Sequence, residues 1–264
     1  MFFPHSSDAG PAASKRAKPA GHTTTAVSER RPRPVMPFTR KYEVAGVTPS
    51  GQFERFTRLA PATPAFEDAF AGFARGTLIQ TPRGPVAVED LAPGMPITVD
   101  GGDLPLLWIG SMTVYPDLPG QPEESGRLTR ITADAYGLGR PMPDLLLGSR
   151  ARLLFRHAQC EALFGQRAAF APARAFIDGM SAVQIFPAGP VRIYHLALER
   201  QAVLRANGVE VESFHPGQAV DEMMERDTLN LLLSLFPHAR SLGDFGPMPY
   251  PRLTSFELEG MRAA

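Results

Sequence analysis

Short hydrophobic stretches separated by turn residues dominate the chain between residues 41 and 212. In KYEVAGVTPSGQFERFTRL, apolar and polar positions alternate on both sides of residues 48–51, which predicts two strands joined by a turn. The apolar side of this hairpin is predicted to carry Tyr42, Val44, Phe53 and Phe56. Later, Asn207 and Gly208 between apolar runs form the strongest hairpin signal in the chain. Strands of about four to six residues at this spacing are typical of a sandwich or barrel, so the pattern predicts a mainly β fold.

Helical spacing appears in only a few places. Phe66, Phe70 and Phe73 recur at helical intervals and predict one or two helical turns, and a short helix is predicted near residues 171–175. From Gln218 the apolar residues follow a 3.6-residue period that Pro237 ends, which predicts a C-terminal amphipathic helix packed on the β core rather than awaiting a partner. The remaining residues, 238–264, are rich in glycine and proline and are expected to be loosely ordered.

The N-terminal segment has a different composition from the rest of the chain. Its first 41 residues contain eight lysines and arginines against two acidic residues, and six prolines interrupt any regular element. Because its apolar residues show no period, residues 1–38 are expected to form a disordered, basic, proline-rich tail. A solvated tail is favoured over one that contacts an acidic partner.

Charge and cysteine content exclude several functional classes. Lysine plus arginine and aspartate plus glutamate both number 27, so no chain-wide attraction to nucleic acid or to an anionic membrane is expected. A single cysteine, Cys160, excludes an internal disulfide and a thiolate metal cage. The N-terminus lacks the apolar stretch of a secretory signal and no run is long enough to span a membrane, so a cytoplasmic location is expected. An export route without a cleaved signal would leave no pattern in the sequence.

Four sequence segments occur in a recognisable order: FARGTLIQTPRGPVAVEDLAPG, LLWIG, the segment 131–155, and VRIYHLAL followed by ANGVEVESFHPG. In this order they resemble the Hint (Hedgehog/intein) domain, particularly its bacterial form, over residues 72–217. The resemblance implies a compact, almost all-β horseshoe built from two pseudo-symmetric halves. That expectation agrees with the strand pattern read from the residues themselves.

Active Hint domains process themselves, and the resemblance identifies where their catalytic groups would stand. Their first residue is a cysteine or serine that attacks the preceding carbonyl, and a later histidine assists proton transfer; a thiolate suits this role because it is nucleophilic near neutral pH. Here Gly72 occupies the nucleophile position, and Ala151 replaces the histidine of the block that reads Ser-Pro-Gln-His-Arg in related domains. Gln201 stands where a histidine is common, and Met95 where related proteins have aspartate. The resemblance therefore implies the Hint scaffold without its reaction centre.

Few other residues offer chemistry. Thr77 is either a hydroxyl near the former scissile bond or a strand-edge threonine bonded to the backbone. His195 falls where the resembled domains carry a histidine, and is either a retained active-site residue or a core histidine bonded to a backbone carbonyl. Cys160 resembles no nucleophile motif and is expected to be a buried or half-buried bystander. It lies three residues after His157, but without a second pair of ligands no metal site is predicted, and no cofactor is implied.

These observations lead to three hypotheses about function. The predicted regions are the 1–38 tail, a lead-in hairpin and short helix over 39–71, the Hint-like domain over 72–217, and a helix with a loose tail over 218–264. The first hypothesis is a degenerate Hint pseudoenzyme, inactive in self-splicing, that binds a peptide or protein partner. The alternative is slow autoproteolysis near Ala71 and Gly72, with Thr77, His195 or water replacing the lost groups. The third is an oligomerising structural module. The oligomeric state, and whether 41–70 belongs to the Hint core, stay open.

Overall fold

The computed structural model describes residues 38–116, 118–119, 121, 123–217 and 224–263. The expected disordered tail over 1–38 lies almost entirely outside the described residues. The strands are β1 Thr39–Val47, β2 Phe53–Pro61, β3 Phe73–Ala74, β4 Leu78–Thr81, β5 Gly84–Ala87, β6 Pro96–Val99, β7 Gly102–Pro105, β8 Trp108–Val114, β9 Leu128–Ile131, β10 Leu145–Leu147, β11 Arg152–Arg156, β12 Ala168–Pro172, β13 Ala182–Ile185, β14 Val191–Ala197, β15 Val203–Ala206 and β16 Val209–Glu212. The helices are α1 Pro64–Glu67, α2 Ala158–Phe164, α3 Arg226–Leu233 and α4 Ser255–Ala263. Short 3-10 turns cover Val88–Asp90, Glu123–Gly126, Ala173–Phe176 and Leu242–Phe245.

The described strands form two antiparallel sheets, so the prediction of a mainly β fold is confirmed. In the first sheet the order is β13-β9-β10-β3-β14-β8-β1-β2, and in the second it is β12-β11-β16-β15-β4-β5, with β6 and β7 joined through β15. The hairpin predicted at Asn207 is present between β15 and β16. Asn207 and Gly208 have φ angles of 48° and 85°, the left-handed geometry of a two-residue hairpin turn.

The lead-in hairpin is an integral part of the first sheet. β1 pairs with β2 along its whole length and with β8 on its other side. Tyr42 and Phe70 pack together with ring centroids 4.5 Å apart, and Phe70 meets Trp108 edge-on at 5.2 Å. The prediction that Phe53 lies on the apolar side is wrong: this side chain is 59% exposed because β2 is the outer strand of the sheet.

The helices differ from the sequence expectations in several places. The helix predicted near 171–175 is instead the end of β12 followed by a 3-10 turn, because the alanines pair with β11. The helix α2 was not predicted; His157 caps its start by accepting from the Gln159 amide, and Gly165, with a φ angle of 66°, ends it. The predicted lead-in helix is a single turn, α1, and Phe73 belongs to β3.

The C-terminal region is packed onto the core. Of the predicted amphipathic helix, residues 218–223 lie outside the described residues, and α3 ends at Leu233 rather than next to Pro237. It docks as expected, since Leu232 is buried in the same cluster as Trp108; just after the helix, the Trp108 indole donates a hydrogen bond to the Leu235 carbonyl at 2.7 Å. The expectation of a loosely ordered segment after 238 is wrong. That segment buries Phe245 in the apolar cluster around Trp108, and Leu258 and Met261 in the apolar cluster around Cys160. Its apolar residues show no period in the sequence, but they hold the segment in place by packing against residues distant in the chain. None of the helices in the described ranges is long and apolar enough to cross a membrane.

Candidate functional site

The candidate site is built around the peptide bond between Ala71 and Gly72. The short strand β3 lies between β10 and β14, with Phe73 opposite both Leu147 and Tyr194. Antiparallel register therefore places Gly72, one residue earlier, beside Gly148 and His195. The Gly148 amide donates a hydrogen bond to the Gly72 carbonyl at 2.8 Å. The sheet itself thus brings the three positions together.

Both glycines are in close contact with neighbouring backbone. A Cβ added at Gly72 would lie 2.6 Å from the Tyr194 carbonyl oxygen and 2.7 Å from Cδ2 of the His195 ring. A Cβ at Gly148 would lie 2.5 Å from the Ala71 carbonyl oxygen. These separations are shorter than carbon and oxygen atoms tolerate, so neither position has room for a side chain unless the strands move. Gly72, the predicted nucleophile position, therefore has neither a reactive side chain nor the space for one.

His195 is the only titratable side chain of the predicted site that reaches this peptide bond among the described residues. It is buried, 6% exposed, and its ring packs edge-on against Phe73 and Phe214 at 5.8 and 5.5 Å. Burial lowers the pKa of His195 to about 4, although the carbonyls of Asp68 and Ala69 favour the protonated form. Nδ1 has no hydrogen-bond partner within the described part of the chain. The ring is thus neutral at neutral pH and carries an unused polar atom.

The remaining predicted positions carry no reactive arrangement. The hydroxyl of Thr77 donates to the Ala74 carbonyl at 2.7 Å and is buried, which is the backbone-bonded alternative raised for this residue. Ala151 is buried in the β10–β11 connection, where its amide contacts the Gly148 carbonyl at 3.2 Å. Gln201 is fully buried and donates to Glu212.

A group of charged side chains next to His195 was missed by the sequence analysis. Arg150 Nε lies 2.7 Å from Asp68 Oδ1. Glu212 accepts hydrogen bonds from Gln201 and, at 2.8 Å, from Arg252 Nε. The only motif signal for this group was the pair of arginines that flank Ala151 in the sequence.

Arg152 stands apart within this group because its guanidinium lacks a short partner. Its Nη1 is 3.7 Å from Glu212 Oε2, and its Nε has no hydrogen-bond partner among the described residues. Burial lowers the pKa of Arg152 and raises that of Asp68. The site therefore holds a partly buried cation whose bonding capacity is incompletely used.

Of these charged residues, Asp68, Arg152, Glu212 and Arg252 line one cavity of about 320 Å³ together with His195. Asp68, Arg152 and His195 form part of its polar wall, and Phe214 and Leu232 part of its apolar wall. The side chains of Arg152 and Asp68 keep 29% and 40% of their area exposed, so the polar end of the cavity reaches solvent. A concave site with an apolar wall and a few convergent polar groups is the usual form of a ligand-binding pocket.

Cys160 and His215 have structural roles, although His215 lines the cavity beside His195. Cys160 is buried in α2, with its Sγ 3.9 Å from the Met261 Sδ, and burial raises the pKa of its thiol. His215 has both ring nitrogens engaged: Nε2 with the Gly246 carbonyl and Nδ1 with the Gly217 amide, each at 3.0 Å. Within the described ranges, no group of three or more histidine, cysteine, aspartate or glutamate residues is placed to hold a metal ion.

The sequence model of the Hint domain family matches residues 71–218, more than half of the chain. Among solved structures, the chain is similar to the solution structure of a bacterial intein-like domain from Clostridium thermocellum, with 12% identity and a TM-score of 0.39, covering 55% of this chain and 99% of the other. No curated protein matches at a significant level.

Proposed function

The chain belongs to the Hint domain family, and from this we propose that it is a member that does not process itself and acts instead as a binding module. The observation that carries the first part is the packing at Gly72. Self-processing needs a side chain at this position, and a Cβ there would overlap the backbone of Tyr194 and the ring of His195. Adjacent strands therefore fill the space that a nucleophile requires.

The second part of the proposal rests on the cavity beside His195. With the reaction centre missing, its polar groups have no catalytic partner, yet Arg152 lines the cavity with a side chain that is 29% exposed and that has no short ion-pair partner among the described residues. A guanidinium in such a position can form charge-assisted hydrogen bonds to a ligand. This supports a binding role for the concave face that adjoins the former scissile segment.

A second candidate is slow cleavage at the bond between Ala71 and Gly72 with water as the nucleophile. The feature that favours it is His195, a neutral base whose ring lies against Gly72. Against it, Thr77 has its hydroxyl committed to the Ala74 carbonyl, and Ala71 is completely buried. Loss of the nucleophile also removes the covalent route, so any remaining rate is expected to be lower by orders of magnitude.

Intact-mass measurement separates these two candidates. Full-length protein with a tag at each end would be incubated for days, with and without a thiol and with hydroxylamine, next to the His195→Phe variant as the matched control. A single full-length mass in every sample is expected. Two fragments that meet at Gly72 and disappear in the His195→Phe variant would overturn the proposal.

A thermal-shift screen tests the binding role. Ala65 is exposed and lines the same cavity, so Ala65→Phe fills the opening without disturbing the core. Small metabolites and short peptides would be screened against both proteins. A compound that raises the Tm of the natural protein and leaves that of Ala65→Phe unchanged supports a binding module. A screen with no such compound would contradict it.

A further inference from the structure

The cavity beside His195 carries a charge imbalance that indicates the chemistry of its ligand. Two guanidinium groups, those of Arg152 and Arg252, line it together with the carboxylates of Asp68 and Glu212, and a third, that of Arg150, pairs with Asp68 from outside the lining. Both carboxylates already have an arginine at ion-pair distance: Asp68 Oδ1 lies 2.7 Å from Arg150 Nε, although without hydrogen-bond geometry, and Glu212 lies 2.8 Å from Arg252. The remaining cation is Arg152, and it faces the cavity.

The unused bonding capacity at this end of the cavity fits one carboxylate. Arg152 Nη1 lies 3.7 Å from its nearest carboxylate oxygen, on Glu212, beyond a good hydrogen bond, and the Arg152 side chain, which lines the cavity, keeps 29% of its area exposed. A guanidinium binds a carboxylate with short, charge-assisted hydrogen bonds. His195 in the same wall is neutral at neutral pH and adds no charge there. The guanidinium of Arg152 is thus the group that fits a small anion.

The opposite wall of the cavity determines the polarity and the size of the rest of the ligand. Phe214, Met224 and Leu232 line it with apolar surface, and Phe214 is held in place by stacking on Phe236 at 5.1 Å. The volume of about 320 Å³ lies at the small end of the range for ligand sites. An aliphatic or aromatic body of modest size fills this space and gains from leaving water.

We infer that this cavity binds a monocarboxylate with a compact apolar body, its carboxylate on Arg152 and its body against Phe214, Met224 and Leu232. The inference rests on the proposed binding function and narrows it to a ligand class. The same chemistry is offered by a free organic acid and by the C-terminal residue of a peptide with an apolar side chain, and the experiment distinguishes these sources.

Isothermal titration calorimetry on the full-length protein tests the inference. The free-acid probes are phenylacetate and isovalerate, each paired with its amide as the uncharged control. The peptide probe is a tripeptide ending in phenylalanine, with a free or an amidated C-terminus. Both acids are expected to bind and both amides to bind at least about tenfold more weakly, because the amide lacks the charge that Arg152 pairs with. Tighter binding of the free-terminus tripeptide than of phenylacetate would identify the ligand as a peptide end, and the reverse would identify a free acid.

Two variants locate the binding. Arg152→Gln is expected to weaken acid binding about tenfold or more, whereas Arg156→Gln, on the same strand but paired with Glu210 at the surface, is expected to leave it unchanged. Ala65 is exposed and lines the cavity, so Ala65→Phe is expected to abolish binding by filling the space that the apolar body of the ligand would occupy. This variant keeps the inference testable if Arg152→Gln unfolds. Equal affinity for acids and amides, equal effects of the two arginine variants, or no binding of any acid would overturn the inference. A ligand from the thermal-shift screen that is not a carboxylate would overturn it as well, and leave the binding module standing.

Discussion

His238 allows the energetic cost of a buried, unpaired histidine to be measured. It follows α3, is 8% exposed, and its ring meets Phe236 and Phe245 edge-on at 6.0 and 5.2 Å. Neither ring nitrogen has a hydrogen-bond partner among the described residues. Burial lowers the pKa of His238 to about 4, and the nearby Asp244 offsets this only in part.

The sign and size of the pH effect on the free energy of unfolding follow from the lowered pKa of His238. A histidine that titrates at 6.5 when unfolded and at about 4 when folded binds more protons in the unfolded state throughout that window. The free energy of unfolding therefore falls as pH drops below 6.5, and the loss is complete below pH 4. Between pH 7.5 and pH 5 the loss is about 2 kcal/mol for this one group. His195, with the same shift, adds a similar amount.

The substitution His238→Phe removes the titrating group and keeps a ring of similar shape between the two phenylalanines. Urea unfolding would be followed at pH 7.5, 6 and 5 through the fluorescence of Trp108, the single tryptophan of the chain, which is buried beside Phe236. We expect the variant to lose about 2 kcal/mol less than the natural protein between pH 7.5 and pH 5. An equal m value for the two proteins is the control that the same structure unfolds. Parallel pH curves for the two proteins would refute the reasoning.

Three further predictions concern single positions. Gly72→Cys places a cysteine at the predicted nucleophile position but is expected to destabilise the fold by about 1–3 kcal/mol, because its Cβ would overlap the Tyr194 carbonyl, and to yield no cleavage; chemical denaturation and intact mass check both outcomes. Asn207→Ala is expected to cost about 2–4 kcal/mol in urea unfolding, since the side chain accepts from the Leu78 amide at 2.7 Å and holds a left-handed turn; a loss below about 0.5 kcal/mol would contradict this. Cys160 is expected to react with a thiol reagent only in denaturant, because it is completely buried and its pKa is raised; rapid labelling of the native protein would show otherwise.

Local turn chemistry explains which parts of the fold could be predicted from the sequence. The hairpin at Asn207 and Gly208 was predictable because both residues favour the left-handed backbone that the turn requires. The helix α2 was missed because it is short, and its signals are the caps His157 and Gly165 rather than a hydrophobic period. The packing of the region after 238 was missed because Phe245 is buried by residues far away in the chain.

In the candidate site, too, local sequence features could be predicted, whereas features that depend on contacts between distant segments could not. The prediction that Gly72 occupies the nucleophile position came from a local motif, whereas the lack of space there depends on the register of β3 between β10 and β14. The cavity could not be predicted, because Asp68, Arg152 and Glu212 come from separate segments that only the folded sheets bring together. Side chains that converge from distant segments leave no spacing pattern in a single sequence.

The lead-in hairpin has a consequence for how a broken chain would behave. The lead-in segment contributes to the same aromatic cluster as Trp108 through Tyr42, Phe66 and Phe70. In addition, β1 pairs with β8 over five consecutive residues. A chain expressed as two polypeptides, 1–71 and 72–264, therefore has complementary, mutually dependent surfaces in its two pieces. We expect the pieces to reassemble into one native complex, as split reporters do, and the larger piece to be poorly folded without the smaller. Cleavage of the peptide bond between Ala71 and Gly72 would then leave a heterodimer that gel filtration does not distinguish from the intact protein.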